Sequence, residues 1–130
     1  DLSGNNFSFF FSYYEIFTKV ETDAFYPGNW NVFISRNLDR KVGISNSAPE
    51  GSYTTSVQFI VDTDGLVTDV KTVGKKAGFG MDEEAVRVIK KSGRWKPAVQ
   101  NGREVRAYRT EHIKFEITEA MPNSNAQSPQ

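Results

Sequence analysis

The stretch Ser52-Tyr53-Thr54-Thr55-Ser56-Val57-Gln58-Phe59-Ile60-Val61-Asp62 constrains the fold more than any other part of the chain. Tyr53, Thr55, Val57, Phe59 and Val61 occupy one parity, and Thr54, Ser56 and Gln58 the other. Successive side chains of a strand point to opposite faces, so this alternation predicts a half-buried strand over 52–62. Asp62-Thr63-Asp64-Gly65 follows as a hairpin turn, with Gly65 available for positive φ. Leu66 to Val73 is the returning strand. Val67 and Val70 differ in parity, which calls for either a bulge or burial on both faces.

The period then changes. After a Gly/Lys loop over 74–80, Met81, Ala85, Val88 and Ile89 recur at helical spacing and predict a helix over 81–91. Asp82, Glu83 and Glu84 in its first turn and Lys90 and Lys91 in its last complement the helix dipole, and Gly93 suits the position beyond its end. Trp95 and Pro97 are expected to set the helix-to-strand corner and fill the core. Asn101-Gly102 is a turn, and Glu104 to Ile117 reads as one long strand. Strand, hairpin, strand, helix and strand in this order predict an α+β fold, a small antiparallel sheet with one face under the helix.

Upstream, residues 1–6 read as a flexible lead-in and 7–14 as a Phe-rich segment of undefined role, with a strand expected near 14–20. Tyr26-Pro27-Gly28 breaks the chain, Asn29 caps a helix expected over 30–38, and Phe33, Ile34 and Leu38 form its apolar stripe. Asp39 to Gly51 reads as loop. Residues 118–130 are polar, without periodicity, and read as a disordered tail, leaving 15–117 as the domain.

Composition excludes several functions. The 130 residues carry 16 basic and 16 acidic side chains, so no net field favours nucleic acid. There is no cysteine and one histidine, His112, which removes thiol chemistry, disulfides and a His-rich metal site. Asp62, Asp64 and Asp69 are too few ligands on too short a hairpin for calcium, and turn chemistry explains them. With no catalytic constellation and no phosphate-cradling loop, the chain reads as a binding module rather than an enzyme, needing no cofactor. No apolar run reaches the roughly 18–20 residues of a membrane span.

Three pieces in order carry a resemblance: Val57-Gln58-Phe59-Ile60-Val61-Asp62 into Asp64-Gly65-Leu66-Val67-Thr68-Asp69-Val70, then Met81-Asp82-Glu83-Glu84-Ala85-Val86-Arg87-Val88-Ile89, then Arg94-Trp95-Lys96-Pro97-Ala98 with Gln100-Asn101-Gly102-Arg103 and a strand ending Ile113-Lys114-Phe115. Together they resemble the TonB C-terminal domain family. Glu15 to Glu21, Tyr26-Pro27-Gly28 and Phe33-Ile34…Asn37-Leu38 are similar to the extended form found in Bacteroidota-type bacteria. The chain departs from the family pattern at Arg109 and Glu111, where an apolar or aromatic residue is usual, at His112, often a proline, and in lacking Tyr-Pro after the first helix.

The resemblance implies a periplasmic domain that binds the TonB box of an outer-membrane transporter. It also implies an inner-membrane anchor and a proton-channel complex, both engaged through regions outside these residues. A sensor or scaffold domain of the same fold is the alternative. The expected site is an edge strand, Arg106, Ala107, Tyr108, Arg109, Thr110, Glu111, His112, Ile113 and Lys114, to which a peptide adds by main-chain pairing. A homodimer through the same edge is the other use of such a strand. Val105, Ala107, Ile113, Phe115 and Ile117 share the parity expected to face the helix. Arg109 and Glu111 interrupt that face, either as an ion pair at a bulge or strand end, or as polar contacts to the peptide. Arg106 and Lys114 also read as charges that guard an edge. His112 invites a pH-sensing role, against which a lone surface histidine is ordinarily uneventful.

Overall fold

The computed structural model describes residues 15–118, so the expectations for 1–14 and for 119–130 lie outside the described residues. Along the chain run α1 (Trp30–Asn37), α2 (Val42–Ser45), β1 (Gly51–Val61), β2 (Val67–Val73), α3 (Met81–Lys91), β3 (Ala98–Gln100), β4 (Arg103–Val105) and β5 (Ala107–Ile117). β1 is the centre of a three-stranded antiparallel sheet in the order β2-β1-β5, and β3-β4 forms a separate hairpin. The fold is α+β, as the order of elements predicts.

The alternation in β1 becomes burial. Thr55, Val57, Phe59 and Val61 are buried, and across the ladder so are Ala107, Ile113, Phe115 and Ile117. α3 covers β1 and β2 with Met81, Ala85, Val88 and Ile89. Phe59 and Phe115 are the largest fully buried side chains; each contributes about 1.5–3 kcal/mol by leaving water. The parity conflict in β2 is resolved by a bulge. Gln58 pairs with Lys71 and Ile60 with Thr68, so Asp69 and Val70 together oppose Phe59, with Asp69 at φ 57°. The extra residue lets Val67 and Val70 both pack against the core.

The hairpin turn is closed by Asp62, whose Oδ1 accepts from the amides of Asp64 and Leu66, each at 2.9 Å. Gly65 sits at φ 84°, where a Cβ would collide with the Trp95 carbonyl oxygen, and its own carbonyl accepts from Trp95 N at 2.9 Å. This close approach binds the hairpin to the corner after α3. Trp95 is 3% exposed there. Its Nε1 donates to Ser92 Oγ at 2.8 Å, and its ring stands edge-on to Phe59, Trp30 and Tyr26. Asn29 caps α1 by accepting from Val32 N at 3.1 Å.

α1 and α3 are joined through one charge pair. Arg87 donates to both oxygens of Glu84 and to the Asn37 carbonyl, and Glu84 Oε2 also accepts from Asp39 N at 2.7 Å. The Arg87 hydrogen bond holds the Glu84 carboxyl below its ordinary value against an opposing cost of burial, and Glu84 in turn raises Arg87.

Three expectations are corrected. Residues 39–51 are not all loop: α2 makes one helical turn there. Val42 and Ile44 pack on the core, and Asn46 Nδ2 fastens the turn by donating to the Val42 and Phe79 carbonyls. Among the described residues, the strand expected near 14–20 reduces to one isolated bridge, Phe17 parallel to Ala107, followed by two more, Thr22 antiparallel to Val99 and Phe25 antiparallel to Lys96. This segment changes partner before any ladder can grow. The single strand expected over 104–117 is broken at Arg106, because the residues before it pair with β3 and those after it with β1.

Candidate functional site

The geometry of β5 follows from two hydrogen bonds. Phe17 N donates to the Arg106 carbonyl at 2.9 Å, and Tyr108 N donates to the Phe17 carbonyl at 3.0 Å. Arg106 and Tyr108 therefore direct their main-chain groups away from β1. In an antiparallel ladder that direction alternates residue by residue. Arg109, Glu111, Ile113 and Phe115 thus bond to β1, and Thr110, His112, Lys114 and Glu116 point outward. Among the described residues those four make no main-chain bond on the outer side. Phe17 occupies the edge at Arg106–Tyr108, so among the described residues the open part runs from Thr110 to Glu116.

Side chains alternate in the other sense. Tyr108, Thr110, His112 and Lys114 lie on the face away from α3. There His112 Nδ1 is 2.8 Å from Ser56 Oγ, and Ser52 Oγ donates to Glu116 Oε1 at 2.7 Å. Ala107, Arg109, Glu111 and Ile113 lie on the helix side, where Ala107 and Ile113 are buried. Arg109 stands opposite Phe59 and Glu111 opposite Val57, in a register with no break from Gly51↔Ile117 to Val61↔Ala107, so there is no bulge at the pair.

Arg109 Nη2 donates to Glu111 Oε2 at 2.8 Å, and Nη1 lies 3.8 Å from Asp23 Oδ2. The two side chains of the closer pair are 29% and 15% exposed, so it is partly desolvated rather than a solvated surface pair. The guanidinium carbon is 6.0 Å from the Trp95 ring centroid, and Nε is buried with no hydrogen-bond partner. These charges sit where the helix-side face runs out to the open edge.

Pro97 is half-buried between Trp95 and β3, and Gly102, at φ 75°, forms the β3-β4 turn with open space around it. Gly65 and Trp95 meet; Gly102 is at a separate hairpin. Two features of the site gave no sequence signal. Phe17's pairing with β5 is non-local, and the contact of Ser56 with His112 depends on a register that residue types alone leave open. A third, the outward direction of Glu116, follows from strand alternation once β5 is known to be an edge.

The ordered strand-hairpin-strand-helix-strand coincides with a family match. The model of the Gram-negative bacterial TonB protein C-terminal matches residues 51–117, more than half of the 130-residue chain. The chain belongs to the TonB C-terminal family. No curated protein matches it. The matched span covers β1 through β5, so the whole sheet, α3 and the Trp95 corner of this TonB C-terminal domain are family structure. α1, α2 and the Phe17 segment precede it.

Proposed function

We propose that this TonB C-terminal domain is the periplasmic module of an energy transducer, and that it takes the TonB box of an outer-membrane transporter as an added strand along β5. One observation carries the reading. Among the described residues, the main-chain groups that Thr110, His112, Lys114 and Glu116 direct outward are unpaired, while the other side of the strand is held to β1 through eleven residue pairs.

Each main-chain bond to an added strand contributes about 0.5–1.5 kcal/mol net, against the cost of ordering the peptide. Few bonds therefore give modest affinity with little dependence on peptide sequence. Selection comes from the side chains flanking the edge. A bound strand would place alternate residues beside Arg109 and Glu111 on the helix side and beside His112 and Lys114 on the other, which favours polar or charged residues at those positions. On this reading the domain passes on work drawn from the inner-membrane proton gradient.

The test is an NMR titration with peptides from transporter N-termini. Amide shifts confined to 110–116, saturating at about millimolar peptide or below, are expected. Unmoved amides over 110–116 would sink the proposal. Equal shifts on raising the protein concentration alone would assign the edge to a homodimer instead.

A further inference from the structure

On the opposite side of β1, β2 covers only part of the strand and, among the described residues, leaves the start of β1 unpaired. Since the odd-numbered residues of β1 bond to β5, Ser52, Thr54, Ser56, Gln58 and Ile60 direct their main-chain groups toward β2. β2 reaches only as far as Val73, opposite Ser56. Beyond it the chain turns away at Gly74, and Ser52 and Thr54 make no main-chain bond on that side among the described residues. Between them and the segment 75–77 lies a cavity of about 320 Å³ lined by Ser52, Tyr53, Thr54, Lys75, Lys76 and Ala77.

Both walls are fixed by the same carboxylate. Asp82 Oδ1 accepts from Thr55 Oγ1 at 3.0 Å on the strand side and from Ala77 N at 3.1 Å on the loop side, while Oδ2 accepts from Gly78 N at 2.8 Å. Tyr53 is held by its hydroxyl on the Pro49 carbonyl at 2.6 Å and by its ring against Phe79. The notch is thus built before anything enters it. Lys75 and Lys76 at its rim are exposed and make no ion pair among the described residues. Glu116, opposite Ser52 on β5, is engaged by Ser52 Oγ.

We propose that this notch binds a short extended peptide segment carrying a carboxylate side chain. The segment would pair with Ser52 and Thr54 as an added strand, with its acid between Lys75 and Lys76. The volume is at the lower end of small-ligand sites, which suits a few residues rather than a folded partner. The site is separate from the β5 edge, and it stands or falls independently of the transporter reading.

The probe is a capped tetrapeptide alternating valine and glutamate, with the valine–lysine counterpart as control, titrated into the labelled chain. Shifts at the amides of Ser52, Thr54 and 75–77 are expected at about millimolar peptide, with 110–116 unmoved, and affinity should fall severalfold as salt rises from about 0.05 to about 0.5 M. The double variant K75E/K76E, which changes only exposed side chains, should abolish them. Unmoved amides over 52–54 and 75–77, or equal binding of the lysine peptide, would overturn the proposal. Equal binding of N-acetylglutamate would overturn its strand-pairing part and leave a simple carboxylate site.

Discussion

Thr55 and Asp82 meet beneath α3, the Thr55 hydroxyl donating to a carboxylate that is 6% exposed and also accepts two amides of the 77–78 loop. Thr55→Val keeps the shape and leaves Asp82 its two amide donors, so we expect a loss of about 1 kcal/mol. Asp82→Ala strands a buried hydroxyl and two amides and should cost about 2–4 kcal/mol. Urea denaturation of both single variants and of the double variant measures the coupling. A double variant no worse than Asp82→Ala is expected, because the hydroxyl then has nothing left to lose.

Gly65 and Gly102 share a positive φ but not their surroundings. Gly65→Ala brings backbone strain and a collision with the Trp95 carbonyl, and should cost more than about 2 kcal/mol. Gly102→Ala has open space and should cost only about 1 kcal/mol of strain. Equal midpoints in denaturant would contradict the close approach of turn and corner.

The Glu84–Arg87 pair gives stability an acid limb. Glu84's carboxyl is lowered in the folded state, so its contribution is complete above the ordinary value of 4.5 and is lost as pH falls through the lowered folded value. Arg87→Gln should reduce stability by about 0.5–1 kcal/mol at neutral pH and by less below pH 4, since the pair is half open to solvent. Denaturation curves across that range test the sign. An Arg87→Gln penalty that grows on acidification would refute it.

Arg109 and Glu111 are partly desolvated, and Arg109 Nε lacks a partner. Arg109→Met alone leaves Glu111 half-buried without its cation and should destabilise by about 1–2 kcal/mol. Adding Glu111→Val should recover most of that loss, because both positions face the helix side of the sheet. If the charges serve an incoming peptide, the recovered double variant will be stable and bind transporter peptides more weakly.

Hydrogen exchange reads the edge directly. Tyr108 N is bonded to Phe17, so its amide should be protected along with those of Arg109, Glu111, Ile113 and Phe115. The amides of Thr110, His112, Lys114 and Glu116 should exchange faster than their neighbours. Uniform protection from 108 to 116 would mean that the edge is already covered.

Where local chemistry and the final fold agree, the chain is legible as written. β1, the Asp62–Gly65 turn, the Asn29 cap and α3 are each specified by a few adjacent residues, and the clash of parity between Val67 and Val70 announces the bulge at Asp69. What was not legible depends on partners far away in sequence. Arg106 interrupts β5 because the chain changes neighbours there, not because arginine disfavours a strand. Four residues, Val42 to Ser45, coil because Met81 and Ile117 offer them a surface beside Gly43. Phe17 sits in an aromatic run that suits a strand, yet Ala107 and Val99 claim its segment in opposite directions. Asp82 looks like an ordinary helix-start charge; its burial is a property of the loop folded over it.

The eleven uninterrupted pairs between β1 and β5 make the sheet anisotropic in a mechanical sense. A load applied along β5 is shared in shear by every bond of that ladder at once, whereas a load across it peels the strands apart one pair at a time. A partner lying alongside β5 would pull in the first direction, the stiff one.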